Sequence, residues 1–208
     1  MRDWRAWQQG YEDPSSSLSR RLTVVRQRVR ETIGAPRLAP LRVLSLCSGD
    51  GRDLLPIMAA SKPSIEFAVL VELDPAIAES ARRAAAAYQL DRVWVIAGDA
   101  GDPALFADAC PVDLLMLCGI FGNISEQDIR ATVSATPALL RDGGAVIWTR
   151  GATEPDLRPA IRQWFEKAGM RELSFDSEPT GFGVGVAVKP ADTIAMNTVP
   201  DHIFRFIR

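Results

Sequence analysis

Short apolar runs alternate with amphipathic segments through the middle of the chain. The runs at 41–47, 65–71, 92–97 and 112–118 read as strands buried on both faces. Between them, 52–61, 75–89 and 103–109 read as helices, the second rich in alanine and opened by Pro75, which suits a first helical turn. Strand and helix in regular succession predict a doubly wound, mostly parallel α/β sheet. Further on, Ser125-Glu126-Gln127-Asp128 approximates a capping box. Thr136-Pro137 reads as the cap and first position of another short helix, and Gly143-Gly144 as the turn into a strand at 145–150. The segment 155–169 has Leu157, Ile161, Trp164, Phe165 and Ala168 on one helical face. The runs 171–175 and 181–188 follow each other without a helix and predict a hairpin; 203–207 predicts one more strand.

Residues 1–40 stand outside the alternation. Leu18, Leu22, Val25, Val29 and Ile33 recur at helical spacing over 17–33 and predict a helix packed on the core. Arg20, Arg21, Arg26, Arg28 and Arg30 read as its solvated face. Trp4, Trp7 and Tyr11 allow two readings, packing of the extension or a lid over a bound ligand. The organisation expected is one domain over 1–208, with 1–40 a helical extension or lid and 41–190 the core.

Composition narrows the function classes. A chain of 208 residues, 47% of them hydrophobic, supports one sizeable core. A formal net charge of −2 argues against a nucleic-acid partner. No apolar run approaches the ~20 residues of a membrane span, so no membrane association is expected. Cys47, Cys110 and Cys118 are odd in number and lack metal-ligand spacing, which predicts free thiols, no metal and a cytoplasmic location.

The chemistry concentrates at 41–53, where an apolar strand runs into Cys47-Ser48-Gly49-Asp50-Gly51. Glycines there let the backbone bend sharply and a ligand approach main-chain amides. Glu72 ends the second strand 21 residues after Gly51 (72 − 51), close to the ~20-residue distance at which an acid meets ribose hydroxyls. Leu54 occupies the place of the third glycine that a pyrophosphate requires, so a ribose-bearing ligand without phosphates fits better. In such a sheet the ligand crevice opens where the strand order reverses, between the first and fourth strands.

The segment Val43-Leu44-Ser45-Leu46-Cys47-Ser48-Gly49-Asp50-Gly51 resembles the first motif of class I S-adenosylmethionine-dependent methyltransferases, with Ser45 where the family often has an acid and Cys47 where it often has glycine. Glu72-Leu73-Asp74-Pro75 resembles the ribose-binding loop, Ala97-Gly98-Asp99-Ala100 the loop whose acid holds the adenine amine, and Leu139 to Gly144 the turn before strand five. The resemblance implies a Rossmann-like seven-stranded sheet whose last strand is antiparallel and inserted beside the fifth. It implies S-adenosylmethionine as cofactor and S-adenosylhomocysteine as product, contacted by Cys47, Ser48, Gly49, Gly51, Asp53, Glu72, Leu73, Asp99, Ala100, Cys118 and Gly119. Asp50 and Asp53 also read as local caps. Trp7, Tyr11, Asn123 and Arg150 are the candidates for binding a small-molecule methyl acceptor, and no catalytic base is assigned. His202, the single histidine, reads as a surface residue of the tail. A non-catalytic holder of the same cofactor is the alternative; a nicotinamide-dependent oxidoreductase is disfavoured by Leu54.

Overall fold

The computed structural model describes residues 9–191, 193 and 199–207; Trp4 and Trp7 lie outside the described residues. Seven strands form one sheet: β1 (Leu41–Leu46), β2 (Ile65–Glu72), β3 (Val93–Ala97), β4 (Val112–Leu117), β5 (Leu140–Gly151), β6 (Arg171–Ser177) and β7 (Phe182–Val188). Their order is β3-β2-β1-β4-β5-β7-β6, parallel through β5, with β7 antiparallel to both of its neighbours. The expected hairpin therefore forms, and its second strand inserts beside β5.

Helices cover both faces. On one, α1 (Ser17–Gly34), α2 (Leu55–Ser61) and α3 (Pro75–Ala87) bury Val25, Val29, Ile33, Leu55, Met58 and Ala85 against Val43, Leu70, Leu114 and Ile147. On the other, α4 (Glu126–Leu139) and α5 (Arg158–Lys167) bury Ile129, Val133, Ile161 and Phe165 against Leu44, Val69, Leu115 and Trp148. Neighbouring positions such as 43 and 44, or 114 and 115, go to opposite faces, the two-residue period of a strand. Burying each such aliphatic side chain contributes roughly 1.5–3 kcal/mol. Trp148 stacks between Phe165 and Phe175, with ring centroids 5.9 and 5.7 Å away. Its ring fills the space where a Cβ on Gly185 would go, so β7 can pass there only as glycine.

Several boundaries differ from those read in the sequence. The helix expected from 52 starts at Leu55, because Pro56 lacks an N–H and suits only a first turn; residues 51–54 instead close a tight turn, with the Leu54 and Leu55 N–H groups both on the Gly51 carbonyl. The short helix expected at 103–109 is two 3-10 turns, Pro103–Leu105 and Ala107–Ala109. Thr136-Pro137 opens no new helix. The Thr136 hydroxyl donates back to the Thr132 carbonyl, and Pro137 is absorbed two residues before α4 ends. Gly143 and Gly144 lie inside β5, at a shift in its register against β4; Gly143 has φ 76°, and a Cβ on Gly144 would press on the Val112 and Arg141 carbonyls. The helix expected from 155 begins at Arg158, after Asp156 has accepted the Arg158 N–H and paired with its guanidinium. Residues 203–207 are not a strand. They form an extended strap with one bridge, Ile124 to Phe206, and bury Ile203 and Phe204.

The arginine face of α1 is only partly solvated. Arg20 pairs with Glu178, Arg28 with Asp176, Arg26 donates to the Arg52 carbonyl and Arg21 to the Tyr11 hydroxyl. Among the described residues no helix is long and apolar enough to cross a membrane.

Candidate functional site

The chain turns from β1 to β2 and β3 on one side and from β4 to β5 on the other, so the crevice opens beyond the carboxyl ends of β1 and β4. The turn after β1 forms its floor. The Ser48 N–H donates to the Val71 carbonyl and the Gly51 N–H to the Ser48 carbonyl. Cys47, Gly49 and Gly51 all have positive φ, and a Cβ on Gly51 would run into Leu55. Leu54 is fully buried in the core beneath, at the place where a third glycine would have allowed closer packing of helix on strand.

Glu72 turns back over this floor. Its Oε2 accepts the Gly49 N–H at 2.9 Å and its Oε1 the Asp74 N–H at 3.0 Å, while Asp74 caps α3 through Ala76. Both carboxylate oxygens keep a lone pair for a further donor. Burial pushes the Glu72 carboxyl above its ordinary value; the backbone donors oppose the shift. Leu73 is exposed beside it. At the end of β3, Asp99 accepts the Gly101 N–H at 2.8 Å on one oxygen and faces His202 Nε2 at 3.3 Å with the other. Ala100 is buried, and the tail crosses close over Gly101, with the Ile203 N–H on its carbonyl. His202 is thus not a free surface residue but a partner of Asp99.

The cysteines mark the two halves of the crevice. The Cys47 thiol is pushed up by burial and by Glu72 and Asp99 nearby. The Cys118 thiol is pushed up by burial and by Asp53, against Arg21. Both fit the reading of unreactive sulfur. One half is therefore Cys47, Glu72 and Asp99 toward β2 and β3; the other is Cys118, Asp53, Arg21 and Tyr11 toward β4.

In the second half, Asp53 caps nothing, since α2 has no side-chain cap; Asp50 pairs with Arg52 instead. Asp53 Oδ1 is fully buried and accepts no hydrogen bond among the described residues. Its pKa is raised to about 6, first by burial, with its own backbone N–H opposing the shift, Asp50 adding to the rise and Arg21 and Arg26 opposing it. Tyr11, at the end of the 3-10 turn Gln9–Tyr11, lies over this half. Its hydroxyl accepts from Arg21 Nη2 at 2.9 Å, and the Arg52 guanidinium stacks 4.5 Å from its ring.

Beyond β4, Gly119 has φ 80° and open space where a Cβ would stand. Its N–H donates to the Thr149 hydroxyl, and its carbonyl accepts from Asn123 Nδ2 at 2.7 Å. Asn123 thereby holds the loop 119–123 in shape. Arg150 closes β5 in a buried position; its Nη2 donates to the Pro155 carbonyl at 3.4 Å, and its Nη1 lies 3.5 Å from where a Gly122 Cβ would be. Thr149, Arg21, His202 and the strap at 203–207 also border the candidate site and were not among its residues as read from the sequence. Only the apolar Ile203 and Phe204 carried a signal, and it was of burial. Among the described residues no group of His, Cys, Asp and Glu could hold a metal.

No protein-family model matches the chain. No curated protein matches it either. Solved structures do. An O-methyltransferase family protein from Burkholderia thailandensis aligns at TM-score 0.62 and 17% identity, over 82% of this chain and 57% of that one. An O-methyltransferase family 2 protein from Planctomyces limnophilus, in complex with apigenin, aligns at 0.62 and 16%, over 83% and 60%. A magnesium protoporphyrin IX methyltransferase from Synechocystis with bound SAM aligns at 0.63 and 13%, over 81% and 79%. The chain spans less than two thirds of the length of the first two. At these identities the likeness is one of architecture, and the architecture is the Rossmann-like fold of class I S-adenosylmethionine-dependent methyltransferases.

Proposed function

We propose that the chain is a methyltransferase that uses S-adenosylmethionine and acts on a small-molecule acceptor. Glu72 carries the reading: a buried strand-end carboxylate, oriented by two backbone N–H groups over a glycine turn, with acceptor capacity left for a pair of ribose hydroxyls. The remaining residues suit the same group. Asp99 lies one strand further on, toward the adenine, and Gly119 leaves room on the β4 side.

When bound, the cofactor supplies an electrophilic methyl group on a sulfonium. The chain would hold it across the end of β1, align an acceptor over the Gly119 and Gly122 loop, and shed water beneath Tyr11. Alignment of two bound reactants is worth roughly 7–11 kcal/mol, against ~10²- to 10⁴-fold for acid–base help, so positioning is sufficient. His202, against Asp99 in the adenosine half, is remote in role from an acceptor proton. The buried Arg150 guanidinium, bordering the space at Gly122, favours an acceptor with an anionic group. The free cysteines suit a reducing compartment such as the cytoplasm.

Calorimetry with S-adenosylmethionine, S-adenosylhomocysteine and NAD, followed by a methyl-transfer screen, tests the reading. Tighter binding of NAD than of S-adenosylhomocysteine would refute it. Binding without turnover on any acceptor would make the chain a holder of the cofactor. With an anionic acceptor in hand, Arg150→Ala should raise KM and leave kcat within about threefold.

A further inference from the structure

The tail after β7 is fastened to both loops that flank the crevice. The Ile203 N–H donates to the Gly101 carbonyl beyond β3, and the Ile207 N–H donates to the Asn123 carbonyl beyond β4. Between these ties Ile203 and Phe204 are buried in the same core as Ala100, Phe106, Ile120 and Phe121. Gly101 admits the crossing, because a Cβ there would overlap the His202 ring and the Phe204 carbonyl. His202 is seated on that glycine with its side chain 21% exposed, and its Nε2 faces Oδ2 of Asp99, whose side chain is 51% exposed, at 3.3 Å. A carboxylate only accepts, so this contact places an imidazole proton on Nε2.

A half-exposed carboxylate at a turn rotates about its last bond unless both of its oxygens are held. Here the Gly101 N–H holds Oδ1 and the His202 ring holds Oδ2, and each oxygen keeps a lone pair for one more donor. We propose that His202 is a positioning residue that sets the Asp99 carboxylate toward the exocyclic amine of the cofactor's base, so that the preference for adenine depends on the C-terminal strap. This rests on the cofactor reading given above. Folding, and not binding, then supplies the order of the carboxylate, and the incoming amine meets an acceptor already aimed at it. The burial and backbone bond of the next residue, Ile203, keep the imidazole in place.

Two ligands separate this role from plain packing of the tail: S-adenosylhomocysteine, and its analogue with purine in place of adenine, which lacks the exocyclic amine. By calorimetry, His202→Ala should weaken S-adenosylhomocysteine about three- to tenfold and leave the purine analogue within about twofold. His202→Gln, whose side-chain amide can donate from the place of Nε2, should keep S-adenosylhomocysteine within about twofold of the unsubstituted chain. In an Asp99→Ala background, His202→Ala should add less than about a twofold loss, since it acts through Asp99. Equal losses for both ligands, no loss for either, a Gln variant as weak as the Ala variant, or an undiminished loss in the Asp99→Ala background would each overturn the assignment. So would equal affinity of the unsubstituted chain for the two ligands. Failure of the unsubstituted chain to bind either one would instead overturn the cofactor reading.

Discussion

Glu72 and Asp53 are two buried carboxylates in opposite situations. Glu72 is held by the Gly49 and Asp74 N–H groups, whereas Asp53 has an oxygen with no donor. Glu72→Ala should therefore weaken S-adenosylhomocysteine by about 1.5–3 kcal/mol, the value of hydrogen bonds to a charged acceptor, and calorimetry at pH 7.5 measures it. An unchanged affinity would remove Glu72 from the site. For Asp53 the effect on the ligand-free protein has the opposite sign. Its pKa is raised from 3.8 to about 6, so the native state binds the proton more tightly than the unfolded chain does. The stability from this group is fully present below about pH 4 and lost as pH rises through 6. Asp53→Asn should accordingly be more stable than the unsubstituted protein at pH 7.5, by on the order of 1–3 kcal/mol, with the gain vanishing toward pH 4. Urea midpoints at the two pH values decide it, and a destabilised variant at pH 7.5 would show that the carboxylate is compensated. Glu72 was legible in the sequence because spacing after a glycine turn is a one-dimensional signal. The isolation of Asp53 was not, since it depends on which side chains from α1 and β4 come near it.

At the level of elements, the apolar runs disclosed every strand of the sheet, and the hairpin of β6 and β7 followed from two runs with no helix between them; the antiparallel insertion beside β5 came from the family resemblance and not from the pattern. Helix starts were less legible where local side chains decide them: Pro56 delays α2, and Asp156 with Arg158 delays α5. The strap at 203–207 looked like a strand because alternation over so few residues cannot tell a sheet partner from a segment pinned by single bonds at Gly101 and Asn123. The 3-10 turn that brings Tyr11 over the crevice is tied by two arginine contacts and by the Ser16 hydroxyl on the Gly10 carbonyl. Removing residues 1–16 should leave the sheet intact and much of the cofactor affinity, while turnover falls at least tenfold. Circular dichroism, calorimetry and a methyl-transfer assay read the three quantities. If the shortened chain turns over as fast as the full one, the segment is packing alone.

Across the whole molecule, the first long helix is fastened by the last hairpin. Arg20 and Arg28 on α1 reach Glu178 and Asp176, 158 and 148 positions away, and the apolar side of α1 rests on a core that includes Phe182, Val184 and Val186 from β7. These ion pairs are partly exposed and individually worth little, so the burial of Val25, Val29 and Ile33 is what commits the helix. The consequence is one of folding order. Closing so long a loop costs entropy that the more local pairings of β1, β2 and β4 do not incur, so the amides of α1 should become protected later than those of the central strands. Pulse-labelled hydrogen exchange during refolding reads this directly, and simultaneous protection would show that α1 docks on the parallel strands before the hairpin forms. During synthesis α1 is made before the hairpin that covers part of its apolar side. An amphipathic helix rich in arginine is thus left with part of its apolar side uncovered until β6 and β7 emerge, an interval in which a chaperone would meet that face before its own protein does.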